Sequence, residues 1–348
     1  MIMRQLYIVL ACMAILFSAC RADFSPNAEW KEIPSVYCLL DQDDSVTYVR
    51  VQKCYLGDEN LKQYATIADS SNYGPDELLV RIFVWASEDA MSQADAAPLK
   101  TLDFAYQLRT DKPAGTFYAP DQPVYCHVNK PGDLNPDYTY QLVVSKAATG
   151  QVISRATTHL IGDCAKTVWL ESPHPSILGR SFNFRKNRGC IISWYPFPRG
   201  RRYQITLGFR YRCQYVQPEI LRGISMTCPD VVSDFSESEL YSTMSQDTYF
   251  TNIANALASD TTTKVYVDTL SITLFVCNEP LNAYLNSIDM MNGSLEQNQQ
   301  VYTNIEGGVG VFGARRTHLS LLVPTDNSDV GPTGMHFLLE KLHVGFGK

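Results

Sequence analysis

The sequence predicts a mainly β protein in two units. An antiparallel β-sandwich is expected over residues 35–163, followed by a second β-rich domain over 164–348 with two short helices near 247–258 and 279–291. Three observations predict this. Short runs rich in Val, Ile, Tyr and Phe recur along the chain between turn residues. No helical period sustains itself before residue 240. Residues 134–144 also carry the residue pattern of a tyrosine corner, which belongs to sandwiches.

The first unit is read strand by strand. SVYCLL (35–40) and VTYVRVQKCYL (46–56) flank Asp41-Gln42-Asp43-Asp44-Ser45, a hairpin turn. ELLVRIFVWAS (77–87), LKTLDFAYQLR (99–109) and QPVYCHV (122–128) continue the alternation. Leu134-Asn135-Pro136-Asp137-Tyr138-Thr139-Tyr140 and the strand after it resemble the L-x-P-x-x-x-Y-x-L-x-V corner of fibronectin type III and immunoglobulin-like domains. That resemblance implies that the Tyr140 hydroxyl bonds back to the upstream backbone. VISRATTHL (152–160) closes the unit.

In the second unit, residues 189–215 give two long strands around a Pro-Arg-Gly turn, with Trp194, Tyr203, Leu207 and Phe209 as core. Phe250, Ile253 and Leu257 form one stripe of a helix over 247–258. TTKVYVDTLSITLFVC (262–277) is a strand. Asn278 then caps a helix with Pro280 in its first turn, an apolar face of Leu281, Tyr284, Leu285 and Ile288, and Gly293 at its end.

The N-terminus sets the expected compartment. Residues 1–19 read as a signal peptide: Arg4, an apolar run from Leu6 to Phe17, then Ser18 and Ala19 before Cys20. Phe17-Ser18-Ala19-Cys20 resembles a bacterial lipobox, which implies acylation of Cys20 and membrane attachment through lipid, with 20–34 as a linker. Removing the signal and its one arginine leaves 329 residues (348 − 19) and 28 basic against 36 acidic side chains, or −8. That balance excludes nucleic acid as an expected partner. Eight cysteines remain besides Cys20, and their spacing leaves 105 connectivities open; Cys213 and Cys228, flanking an irregular stretch, are the one expected pair.

Few motifs promise chemistry. Gly308-x-Gly310-x-x-Gly313 has dinucleotide-loop spacing, but a strand-like ARRTHLSLLVP follows where such a site needs a helix. The glycines are read instead as a tight bend near Phe312 and the second-domain sheet. His336, Glu340 and His343 would share a face on a helix but not on the strand predicted there. Asp41, Asp43 and Asp44 lack the glycine and distal glutamate of a calcium loop. Arg185, Lys186, Arg188, Arg199, Arg201 and Arg202 stand out in an acidic chain, and the last three form a candidate patch for an anionic ligand. G-x-S-x-G, H-E-x-x-H and P-loop patterns are absent, so neither an enzyme nor a cofactor is expected.

DFSPNAEWKEIPSVYCLLDQDDSVTYVRVQKCYLGD, YVDTLSITLFVCNEPLNAYLNSI and YTNIEGGVGVFGARR resemble a Bacteroidetes cell-envelope lipoprotein family catalogued as a domain of unknown function. The resemblance spans about residues 20–320. It implies a cell-envelope lipoprotein associated with outer-membrane TonB-dependent receptors and with no established activity. The expected role is an outer-membrane-anchored binding or accessory module beside such a β-barrel receptor, with a glycan or peptide as ligand. An adhesin or fimbria-like component is the alternative, and an envelope hydrolase a third. It supplies no catalytic residues. Whether the anchored domain faces the periplasm or the cell surface stays open.

Overall fold

The computed structural model describes residues 33–54, 72–110, 121–164, 190–213, 221–245, 264–293, 301–322 and 345–346, with Thr248, Thr251, Asn252 and Asn255. The signal segment, Cys20, Arg185, Lys186, Arg188 and the His336–His343 group lie outside these residues.

The chain is mainly β. The first stretch gives β1 (Ile33–Leu40), β2 (Val46–Cys54), β3 (Leu78–Trp85), a single turn α1 (Glu88–Met91), β4 (Lys100–Arg109), β5 (Gln122–Val128), β6 (Thr139–Lys146) and β7 (Val152–His159). The second gives β8 (Cys190–Trp194), β9 (Arg202–Cys213), β10 (Leu221–Thr227), β11 (Val231–Val232), β12 (Leu240–Met244) and β13 (Lys264–Cys277). Helix α2 (Glu279–Gly293), β14 (Val309–Leu322) and β15 (Gly345–Phe346) follow. Thr248, Thr251, Asn252 and Asn255 are helical, and the rest of the helix expected over 247–258 lies outside the described residues. The short α1 was not expected; Ser87 caps it by accepting from the Ala90 amide.

The two units predicted from the sequence share a sheet. The strands join edge to edge in the order β10-β9-β13-β14-β1-β2-β5-β4-β3-β6-β7, with β8 and β12 as a separate pair. Two long strands make this path continuous by serving two neighbours in succession. Lys100–Phe104 of β4 pair with β3, and Ala105–Arg109 pair with β5. Val309–Ala314 of β14 run parallel to Ser35–Leu40 of β1, and Arg315–Leu322 run antiparallel to β13. A strand near the end of the chain therefore sits beside the first described one, across the boundary drawn at residue 163.

Period-two burial drives this arrangement. Val36, Cys38 and Leu40 of β1 point inward, as do Leu78, Val80, Ile82 and Val84 of β3. They join Leu142, Trp194, Tyr203, Leu207, Phe209 and Phe312 in one continuous hydrophobic core. The four side chains assigned to the second core from sequence, Trp194, Tyr203, Leu207 and Phe209, are all buried. Each large apolar side chain so buried contributes roughly 1.5–3 kcal/mol.

The Tyr140 corner forms. The Asn135 amide donates to the Tyr140 hydroxyl at 2.6 Å, and the hydroxyl donates to the Asn135 carbonyl at 2.9 Å. Leu134 packs against the core, and Pro136 turns the chain in between. A second corner, unforeseen, repeats the arrangement: the Phe197 amide donates to the Tyr203 hydroxyl at 2.9 Å, and that hydroxyl donates to the Gly200 carbonyl at 3.1 Å. Its sequence signal was available, since Tyr203-Gln204-Ile205-Thr206-Leu207 echoes Tyr140-Gln141-Leu142-Val143-Val144. The two corners touch: Arg199 donates to the Pro136 carbonyl, and the Gly162 amide donates to the Pro198 carbonyl at 2.9 Å. Tyr140→Phe and Tyr203→Phe should each cost about 2 kcal/mol by orphaning a buried amide. Urea midpoints measured at unchanged slope would report it.

Candidate functional site

Arg199, Arg201 and Arg202 gather at the β8–β9 turn, yet they do not form a free basic patch. Arg202 Nη1 lies 3.0 Å from Asp230 and 3.4 Å from Asp289; its Nε donates to Asn282 Oδ1 at 3.1 Å and its Nη2 to Asn286 Oδ1. Arg201 Nε is 2.7 Å from Glu279. Glu279, Asn282, Asn286 and Asp289 recur at helical spacing, so α2 presents one polar stripe to the two guanidiniums. The arginines fasten the helix to the sheet. At Arg201 and Arg202 an anionic ligand would have to displace carboxylates already in place, and Arg199 donates to the Pro136 carbonyl, so the three do not form the open anion site expected there. The stripe was visible in the sequence, but its partners stood about 80 residues away.

The acidic turn of residues 41–44 is likewise occupied. Arg315 reaches Asp41 at 3.7 Å and Asp44 at 3.3 Å, while Arg316 pairs with Asp43 at 3.4 Å and with Asp163. These arginines follow the glycines of β14, so the pairing holds the β1–β2 turn against that strand. Among the described residues, no three His, Cys, Asp or Glu converge in a metal-binding group.

Asp133 anchors the loop before the first corner. Its buried carboxylate pairs with Lys100, accepts from the Lys130 amide at 2.8 Å and meets His127 Nε2 at 3.0 Å. Burial alone would raise its pKa, but these partners outweigh burial and hold it at about 2, below the ordinary 3.8. A depressed carboxyl contributes stability that is whole above about pH 4 and is lost as pH falls toward 2. That contribution amounts to about 2 kcal/mol. Asp133→Asn should lose it at neutral pH and flatten the acid limb of a stability–pH curve followed by circular dichroism.

Two arrangements invite a catalytic reading. His127 has both ring nitrogens engaged, Nδ1 with the Asp103 carbonyl at 2.9 Å and Nε2 with Asp133 at 3.0 Å, so neither is open to a nucleophile's proton. His159 Nε2 sits 3.0 Å from Thr139 Oγ1 and 3.5 Å from Glu88. A nucleophile–base–acid relay needs the two ring nitrogens separately, and here both partners meet the same one. Burial, with Arg199 nearby, lowers the His159 pKa.

The expected Cys213–Cys228 bridge does not form. The Cys228 amide donates to the Ile205 carbonyl, whereas Cys213 lies eight residues further along the same strand. Eight strand residues span roughly 26 Å, and a disulfide needs Cα atoms within about 7 Å. Cys228 is free.

What remains is exposed apolar surface. Tyr37 packs edge-on against Tyr284 of α2, and Arg109 covers Tyr48 at 5.3 Å, so the sheet-face tyrosines already have partners. Phe235 also has a cation over its ring, but it combines 56% exposure with φ 69, a left-handed conformation that costs a bulky residue about 1–2 kcal/mol. The surroundings impose it. Fully buried Ser233 accepts from the Phe235 amide at 3.0 Å and donates to Glu237 at 2.9 Å, and its own amide bonds the Arg201 carbonyl at 2.9 Å. Arg201 donates to the Ser233 carbonyl and lies 5.4 Å from the centre of the Phe235 ring. Exposed Val232 and Tyr241 sit on β11 and β12, the strands bracketing this loop. Charge composition alone gave no reason to single out Phe235; the signal is the Ser-Asp-Phe-Ser turn, in which Ser233 and Asp234 accept from the turn's own backbone amides.

No family model matches this chain, and no curated protein matches it.

Proposed function

We propose that the chain is a lipid-anchored binding module of a bacterial outer membrane, acting as an accessory to a TonB-dependent β-barrel receptor and belonging with the envelope lipoproteins it resembles. The observation that carries the binding role is Phe235, an aromatic side chain held out to solvent against backbone strain by a purpose-built loop. Strain of this kind persists where the surrounding structure over-determines it, and ligand clamps are among the places it collects. The lipobox ending at Cys20 supports the anchor.

An immunoglobulin-like first unit fits the same reading. The neighbours β1-β2-β5 with the second half of β4, and β3-β6-β7 with its first half, follow the order A-B-E-D and C-F-G with the tyrosine corner opening strand F. Such domains present loops on a rigid frame. The accessory role is favoured over a fimbria-like subunit because β14 of the same chain pairs with β1, occupying in cis an edge that a donor strand from another subunit would fill.

The test is crosslinking of intact cells that carry the tagged full-length protein. Recovery of a β-barrel receptor supports the accessory role; recovery of self-polymers supports the subunit. Labelled palmitate entering a Cys20→Ala variant would remove the anchor.

A further inference from the structure

We infer that the Phe235 loop docks onto a cationic, apolar segment of a partner protein. This rests on the binding role proposed above and assigns its surface and its partner's chemistry.

Charge complementarity selects the occupant. From Gly223 to Thr263 the chain has no lysine or arginine but six acids, Asp230, Asp234, Glu237, Glu239, Asp247 and Asp260. The nearby cations do not offset them, because Arg201 is paired with Glu279 and Arg202 with Asp230 and Asp289. Beside Phe235 stand Asp234, Glu237 on Ser233, and Arg201 with its partner Glu279, so one guanidinium against three carboxylates leaves two negative charges (1 − 3) around the aromatic tip. An apolar centre with an acidic rim matches a segment in which lysines or arginines flank aliphatic or aromatic residues. A second copy of this chain, at net charge −8 once the signal is removed (28 − 36), would bring like charge to the same rim. An anionic membrane surface would do so too. Pre-organisation suits the role: with the Phe235 main chain held by Ser233, little backbone freedom is left to lose on docking.

A photoreactive benzoylphenylalanine at position 235 of the full-length protein, irradiated in its own cells, tests this. The expected result is one protein adduct whose crosslinked peptide carries Lys or Arg beside apolar residues. Asp234→Lys with Glu239→Lys should weaken that adduct about tenfold. With the photoprobe moved to Val232, Phe235→Gly should weaken the adduct similarly while the melting temperature holds or rises, since glycine accepts φ 69 freely. An adduct from a probe at exposed Val128 but none from position 235 overturns this surface and leaves the binding role standing. No adduct from either position overturns both. An adduct to lipid, to glycan or to a second copy overturns the assigned partner, as does indifference to the charge reversal.

Discussion

Asn278→Ala is expected to lower stability by about 4 kcal/mol, seen as a drop in the urea midpoint. Asn278 is buried between β13 and α2, and its side chain makes four hydrogen bonds to three elements. Its Oδ1 accepts from the Leu281 amide at 3.4 Å, capping α2, and from the Ala314 amide of β14 at 3.0 Å. Its Nδ2 donates to Thr158 Oγ1 at 2.9 Å and to the His159 carbonyl at 3.0 Å on β7. A lost cap costs about 1 kcal/mol. Each buried partner left unpaired adds roughly 1–3 kcal/mol, partly relieved where the Thr158 hydroxyl can turn away. Asn278→Asp keeps the accepting oxygen and should lose about half as much. A double-mutant cycle with Thr158→Val should show coupling of about 1 kcal/mol. Additivity of the two changes would mean that the bond to Thr158 contributes nothing to the loss.

Asn278 also marks where sequence reading stops. Its cap, Pro280 and the apolar face of α2 are local features, and the helix lies where they put it, ending at Gly293. Tyr140 was legible for the same reason, because its partners lie within seven residues. The bonds from Asn278 to Thr158 and His159 cross about 120 positions, and nothing in the local pattern of either segment announces the other. Arg202 shows the cost of that blindness: a sequence displays its charge but not Asp230 and Asp289, so a structural bolt reads as a ligand patch. The two-unit division reflects the same limit, since alternation predicts strands and their faces but not which distant strand lies alongside. Phe235 was hidden differently. Its importance rests on a dihedral angle and an exposure, neither of which hydrophobic periodicity encodes.

Gly310→Ala is expected to destabilise by about 4 kcal/mol or more, the range reserved for strain and steric conflict that packing cannot relieve. Gly310 has φ 117, and a Cβ there would stand 2.1 Å from the Val36 carbonyl oxygen, 2.9 Å from its carbon and 3.1 Å from its nitrogen. All three are backbone atoms of β1, fixed by the antiparallel ladder to β2 on the other side. Neither strand can yield without opening the parallel pairing of Val309–Ala314 with Ser35–Leu40. The neighbouring glycines serve the same approach, Gly308 against the Pro34 carbonyl and Gly313 against Leu281 and Asn278 of the α2 cap. The bend expected from the glycine spacing is confined to Gly307 and Gly308; Gly310 and Gly313 lie within β14, where a missing Cβ lets the strand pair closely with β1, and no helix follows. Gly150→Ala is the control: it has φ 70 but open space around the missing Cβ, so it should lose only about 1 kcal/mol from backbone strain. If the two variants lost equal stability, the loss would come from dihedral strain alone and the contact with Val36 would not matter. If Gly310→Ala instead shows the larger loss, with native-state hydrogen exchange rising first at the amides of β1 and β14, close backbone approach is what holds the end of this chain beside its first described strand.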